Sequence, residues 1–169
     1  MIWQGRFDGE DPLYHRIFQR VSLETDYASI SPNDFVLHGF AVDEGVKKNK
    51  GRVGAKEAPD IIRKNMSNFP VVNPEFSLKD FGNINCDDGN LDKSQNELAE
   101  KVTEVLKRGG KSFVLAGGHE VTYAHYSGIR KAFPKVVHGQ WRRMQHIIGI
   151  KPVIAQFVKY YLVSRKVEN

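Results

Sequence analysis

Short strand-like runs and helical stripes follow one another along the chain. Residues 34–42, DFVLHGFAV, are aromatic and β-branched and are entered from the turn-forming Ser31-Pro32-Asn33, which predicts a buried strand. The following DEGVKKNKGRVGA is polar, with three glycines, and predicts a loop. Residues 56–66, KEAPDIIRKNM, predict a helix: Pro59 is tolerated in a first turn, and Ile62 with Met66 makes an i, i+4 apolar pair. Residues 76–84, FSLKDFGNI, predict a second strand, closed by the turn-forming stretch 85–90.

Ser94 and Glu97 have the spacing of a capping box, in which each side chain takes up a free amide at a helix start. Leu98, Val102, Val105 and Leu106 then form one apolar stripe, and Gly109-Gly110 ends the predicted helix. Residues 112–116, SFVLA, predict a short strand, Gly117-Gly118-His119 a tight turn, and residues 120–132 a helix with Val121, Ala124, Gly128 and Ala132 on one face. Strand, helix, strand, glycine turn and helix is the order of an α/β domain with a parallel sheet, whose ligands gather at the carboxyl ends of the strands. Beyond it, QHIIGI and PVIAQFVKYYLV read as a strand and a helix or as two strands.

At 169 residues, 40% hydrophobic and 27% charged, the chain fits one globular domain. No stretch approaches the roughly 18 apolar residues of a membrane span, and MIWQGRFDGEDP lacks the layout of a secretory signal, so a cytoplasmic location and no membrane partner are expected. The single cysteine, Cys86, excludes an internal disulfide framework and a Cys-rich zinc site. The net charge of +5 would direct attention to nucleic acid, but its position matters more than its size. Residues 136–169 hold Arg142, Arg143, Lys151, Lys159, Arg165 and Lys166 against Glu168 alone, so residues 1–135 balance. The last aspartate anywhere is Asp92. Arg142 and Arg143 beside Trp141 are too small a basic footprint to support a nucleic-acid partner.

His119 is the first candidate for chemistry, because a turn of two glycines past a strand lets its imidazole project into a cleft, and neutral imidazole ligates transition metals. Spacing alone favours a satisfied structural histidine. His125, six residues on, does not share a face with it, and His15, His38, His138 and His146 show no ligand spacing. Gly51, Gly54 and Lys56 lack the spacing of a phosphate-binding P-loop. Lys47, Lys48, Lys50 and Arg52 read as a solvated basic turn, or, with Asn49, Arg52 faces the site and holds an anionic group of a substrate.

The segment GFAVDEGVKKNKGRVGAKEAPDIIR, residues 39–63, resembles the N-terminal signature of the arginase, or ureohydrolase, superfamily: G-x-x-x-D-x-G-V, N-x-G-R-x-G-A and P-x-x-I-R. FVLAGGHEVTYAHYSGI, residues 113–129, resembles its first metal motif, and Gly117-Gly118-His119-Glu120 is similar to the version found in formimidoylglutamases, where arginases have Gly-Gly-Asp-His. The opening MIWQGRFDGED is also formimidoylglutamase-like.

This resemblance implies a three-layer α/β/α fold around a parallel sheet, with residues 1–135 as its N-terminal part, and a pair of manganese ions. It implies hydrolysis of N-formimido-L-glutamate to glutamate and formamide, a step of histidine degradation, with His119 as the one metal ligand this stretch supplies. The family's later ligand motifs, Asp-Ala-His-x-Asp and Asp-x-Asp, have no counterpart after Asp92. Residues 136–169 do not match the family, and their basic, Asp-free composition suits a shifted reading frame or a truncated, rearranged gene. The expected fold is therefore incomplete and the chain by itself inactive. The alternative is a non-catalytic remnant that associates with a full-length homologue, since an incomplete sheet leaves an open edge that invites oligomerisation or aggregation.

Overall fold

Four strands, β1 (Val21–Leu23), β2 (Phe35–Ala41), β3 (Leu78–Asn85) and β4 (Lys111–Ala116), form one parallel sheet in the order β1-β3-β2-β4. The computed structural model describes residues 2–73 and 75–134, so the expectations for the runs QHIIGI and PVIAQFVKYYLV lie outside the described residues. Among the described residues four α-helices accompany the strands: α1 (Glu44–Lys48), α2 (Ala58–Met66), α3 (Leu91–Lys107) and α4 (Val121–Ala132).

The two faces of β2 are separated by the period-two alternation of a strand. Leu37 packs with Trp3 and Leu78, against which Phe35, Met66 of α2 and Leu115 of β4 also lie. Val36 packs with Val105 of α3, and Phe40 with Leu98 and Val102 of α3 and Ala124 of α4. Helix α2 therefore covers one face, and α3 with α4 the other, which is the expected three-layer α/β/α arrangement around a parallel sheet. Leu98, Val102 and Val105 are fully buried, each contributing about 1.5–3 kcal/mol relative to exposure. Helices α3 and α4 approach closely because Gly128 has no side chain; a Cβ there would lie 2.6 Å from Val102 Cβ.

The strands at 34–42, 76–84 and 112–116 and the helices at 56–66 and 120–132 are found within a few residues of their expected bounds. Three differences have physical causes. The capping box is not formed: α3 starts a turn earlier, where the Asn90 side chain accepts from Lys93 N, and Ser94 lies inside the helix with its Oγ donating to Asn85 O. Leu91, 9% exposed and packed with Phe40 and Val42, is what the earlier start buries. The polar stretch after β2 is not all loop, since it contains α1, in which Asn49 N and Nδ2 both donate to Gly45 O. The three-residue β1, paired to β3, carries too short an apolar pattern to be foreseen.

Strand β3 contains an extra residue. Leu37 pairs with Asp80 but Gly39 with Asn83, and Gly82 at the bulge has φ +73°. The bulge turns Asn83 to the same side as Asp80, and both side chains meet Arg63 of α2. Gly39 of β2 lies beneath them, and a Cβ there would collide with Asn83 and the guanidinium.

Candidate active site

Strands β2 and β4 are neighbours, yet their outgoing connections leave on opposite faces, toward α2 and toward α4. That is the topological switch point of an open α/β sheet, and the crevice lies outside the carboxyl ends of those two strands. The walls are the loop after Ala41 and the turn after Ala116, the two segments that carry the sequence motifs.

The first wall is closed by Asp43, 5% exposed, whose carboxylate accepts from Gly54 N at 3.2 Å and Lys56 N at 3.0 Å. This clasp brings the two ends of the 43–56 loop together. Gly54, at φ +126°, adopts a backbone conformation that side chains disfavour. Lys47 pairs with Glu44 at 2.6 Å, and that hydrogen bond holds its ammonium above the ordinary lysine range.

The second wall, Gly117–Glu120, packs against the first at backbone distance. A Cβ on Gly117 would lie 2.6 Å from Ala55 O, and one on Gly45 would lie 2.7 Å from Glu120 Cδ. Gly45 and Gly117 thus have one role, to let the two walls meet. Thr122 N donates to His119 O at 3.0 Å, and Gln95 Nε2 of α3 donates to Glu120 O at 2.9 Å, which ties the turn to the start of α4.

His119 is exposed on this turn. Asn49 and Arg52 are exposed on the opposite wall; the Asn49 amide is engaged with Gly45 O, so its first task is to end α1. Glu120, which sequence reasoning does not single out for binding, follows on the same turn. Its Oε1 is buried without a hydrogen-bond partner among the described residues, folded against Gly45 and Gly118. The only sequence signal for it is a carboxylate directly after the turn histidine.

His38 and His125 lie in the layer between the sheet and α3 and α4. His38 is fully buried, with Nε2 2.6 Å from the Tyr27 hydroxyl, and burial first, then Lys101, pushes its pKa down to about 4. Burial also lowers His125. Neither imidazole joins His119: among the described residues no group of three or more His, Cys, Asp or Glu side chains comes together to hold a metal ion. One exposed imidazole with one neighbouring carboxylate does not fit a pair of divalent cations, which needs several oxygen donors. No helix among the described residues is long and apolar enough to cross a membrane.

Comparison with known proteins is consistent with this geometry. Residues 33–139 match the family model described as the Arginase family. The chain is 42% identical over 130 residues to the formimidoylglutamase of Paraburkholderia xenovorans, covering 76% of this chain and 40% of that protein. It is 39% identical over 138 residues to the formimidoylglutamase of Staphylococcus aureus, covering 79% and 44%. Among solved structures it is similar to the Trypanosoma cruzi formiminoglutamase with Mn2+, with a TM-score of 0.56 at 33% identity, covering 60% of this chain and 36% of that one. The chain spans about two fifths of the length of the curated relatives it matches.

Proposed function

Because the chain belongs to the arginase family, we propose that residues 1–135 are the N-terminal part of a formimidoylglutamase-type hydrolase, cytoplasmic, whose substrate is N-formimido-L-glutamate. The observation that carries this reading is the meeting of the two motif segments at the switch point, where Gly45 and Gly117 allow the walls of one crevice to touch. The relatives named formimidoylglutamase support the substrate class, and the T. cruzi structure with Mn2+ supports manganese as the metal.

In this reading His119 donates one imidazole to a metal, and Asn49 and Arg52 face the substrate's anionic end. Bound divalent cations would supply an activated water for attack on the formimino carbon. The described residues provide the crevice and one ligand, and the carboxylates that share two cations have to come from elsewhere; none follows from aspartate beyond Asp92. Residues 136–169 stand outside the arginase-like domain in this proposal, and the chain by itself is inactive. The test is release of formamide from N-formimido-L-glutamate with added manganese. No turnover by this chain is expected, and clear turnover would overturn the claim of inactivity.

A second reading has its own observation. Strand β4 is at the edge of the described sheet, with Phe113 49% exposed. An open edge pairs readily with another chain, so the alternative is a non-catalytic protein that associates through β4 with a full-length homologue. A well-behaved monomer in size-exclusion chromatography, alone and mixed with such a homologue, would remove it.

A further inference from the structure

Among the described residues, Oε1 of Glu120 is the buried side-chain atom of the crevice walls that has no hydrogen-bond partner. Oε1 is buried with no donor among the described residues, Gln95 is spent on the main-chain oxygen of the same residue, and Lys47 of α1 is committed to Glu44. The carboxylate lies flat against Gly45 and Gly118, in space that exists only because neither residue has a side chain. A buried carboxylate oxygen without a donor is unfavourable, so a ligand that brings N–H groups into the crevice gains what the protein withholds.

We infer that Glu120 is a specificity-determining residue that accepts hydrogen bonds from the cationic formimidoyl group of the substrate. This rests on the reading given under Proposed function. Formimidoylglutamate carries an amidine, which is protonated at neutral pH and presents planar N–H donors. A carboxylate is a strong, charge-assisted acceptor for such a cation. A divalent metal would need further oxygen donors, and no third metal-capable side chain stands with His119 and Glu120 among the described residues. Glu120 is also adjacent to His119, so the group it recognises is held beside the residue assigned to the metal. The product amide is neutral, and the same carboxylate holds it less well, which favours its release.

The experiment titrates the full 169-residue chain, 15N-labelled, with formamidinium and, at the same ionic strength, with formamide. Formamidinium is expected to shift the amide signals of Gly45, Gly118 and Glu120, with formamide at least tenfold weaker. Glu120→Gln, which keeps size and removes charge, is expected to weaken formamidinium binding at least tenfold with an unchanged melting temperature. Equal effects of the cation and the neutral amide in the native chain overturn the proposal without need of a variant, as does equal binding by Glu120→Gln. A third arm uses N-formimido-L-glutamate. If formamidinium binds through Glu120 but this substrate does not bind, Glu120 remains an amidinium acceptor, while its assignment to this substrate and the hydrolase reading fall. If the substrate binds native and Glu120→Gln chains alike, the hydrolase reading survives and the role of Glu120 falls.

Discussion

Arg63 and Asp80 form a two-point pair under the sheet: Nε lies 2.8 Å from Oδ2 and Nη2 2.8 Å from Oδ1, with the side chains 1% and 3% exposed. Trp3 Nε1 donates to the same carboxylate at 2.7 Å, and Arg63 also reaches Asp60, Asn83 and Gly82 O. The network ties the N-terminal segment, α2 and β3 together around Gly39 of β2. It sits away from the crevice and holds in place the helix whose start the Gly117 turn packs against.

Removing either half leaves the other charge buried without compensation, so Arg63→Met or Asp80→Asn is expected to cost about 3–5 kcal/mol of stability. Urea unfolding of the full chain measures it. The double variant Arg63→Met with Asp80→Leu should lose less than the sum of the two single changes, because no unpaired charge remains. Single losses near zero would show that the network contributes nothing net.

The bulge at Gly82 makes a separate prediction, because nothing lies within 4 Å of a Cβ placed there and the only penalty is the positive φ. Gly82→Val is expected to cost about 1–2 kcal/mol, and Gly82→Asn clearly less, since asparagine tolerates the left-handed region. A shift in the urea midpoint of the same size for both variants would point to packing as the cause.

His38 sets a pH dependence. Its pKa, about 4 in the fold, lies below the unfolded value of 6.5, because burial, Lys101, Arg63 and His125 all disfavour the imidazolium, against Asp80 alone. Between those two values the unfolded chain binds a proton that the folded chain does not, so stability is full above pH 6.5 and falls as the pH drops toward 4. The loss from this group is on the order of 3 kcal/mol, flat below pH 4. Urea midpoints at pH 7.5 and 4.5 measure it, and His38→Phe should shrink the difference between them.

What was legible in the sequence follows from how locally each element is determined. The runs around Phe40 and Val114 and the small-residue face of α4 carry their own pattern, so the parallel α/β order could be read before any contact was known. The start of α3 could not, because Asn90 and Ser94 are both capping residues and the choice rests on Leu91 reaching Phe40 and Val42. Helix α1 is illegible because it is short and held from outside, by the reach of Asp43 to Gly54 and Lys56. Arg63 counts as polar in any periodicity, and its partner is in another element of the chain. At the site, the turn alone makes His119 legible, whereas Glu120 becomes distinctive only once Gly45 lies against it.

Metal content tests the donor set most directly. A neutral imidazole is one weak ligand for manganese, which favours several oxygen donors, and a pair of such ions needs carboxylates to offset their charge. His119 and Glu120 supply one imidazole and one carboxylate, and no third donor joins them among the described residues. Elemental analysis of the chain purified from manganese-supplemented culture is expected to find far less than one manganese per chain, unchanged after dialysis against a chelator and unchanged in His119→Ala. Two bound ions per chain, lost on chelation and abolished by His119→Ala, would overturn the mismatch between this donor set and a metal pair, and with it the expectation that the chain by itself is inactive.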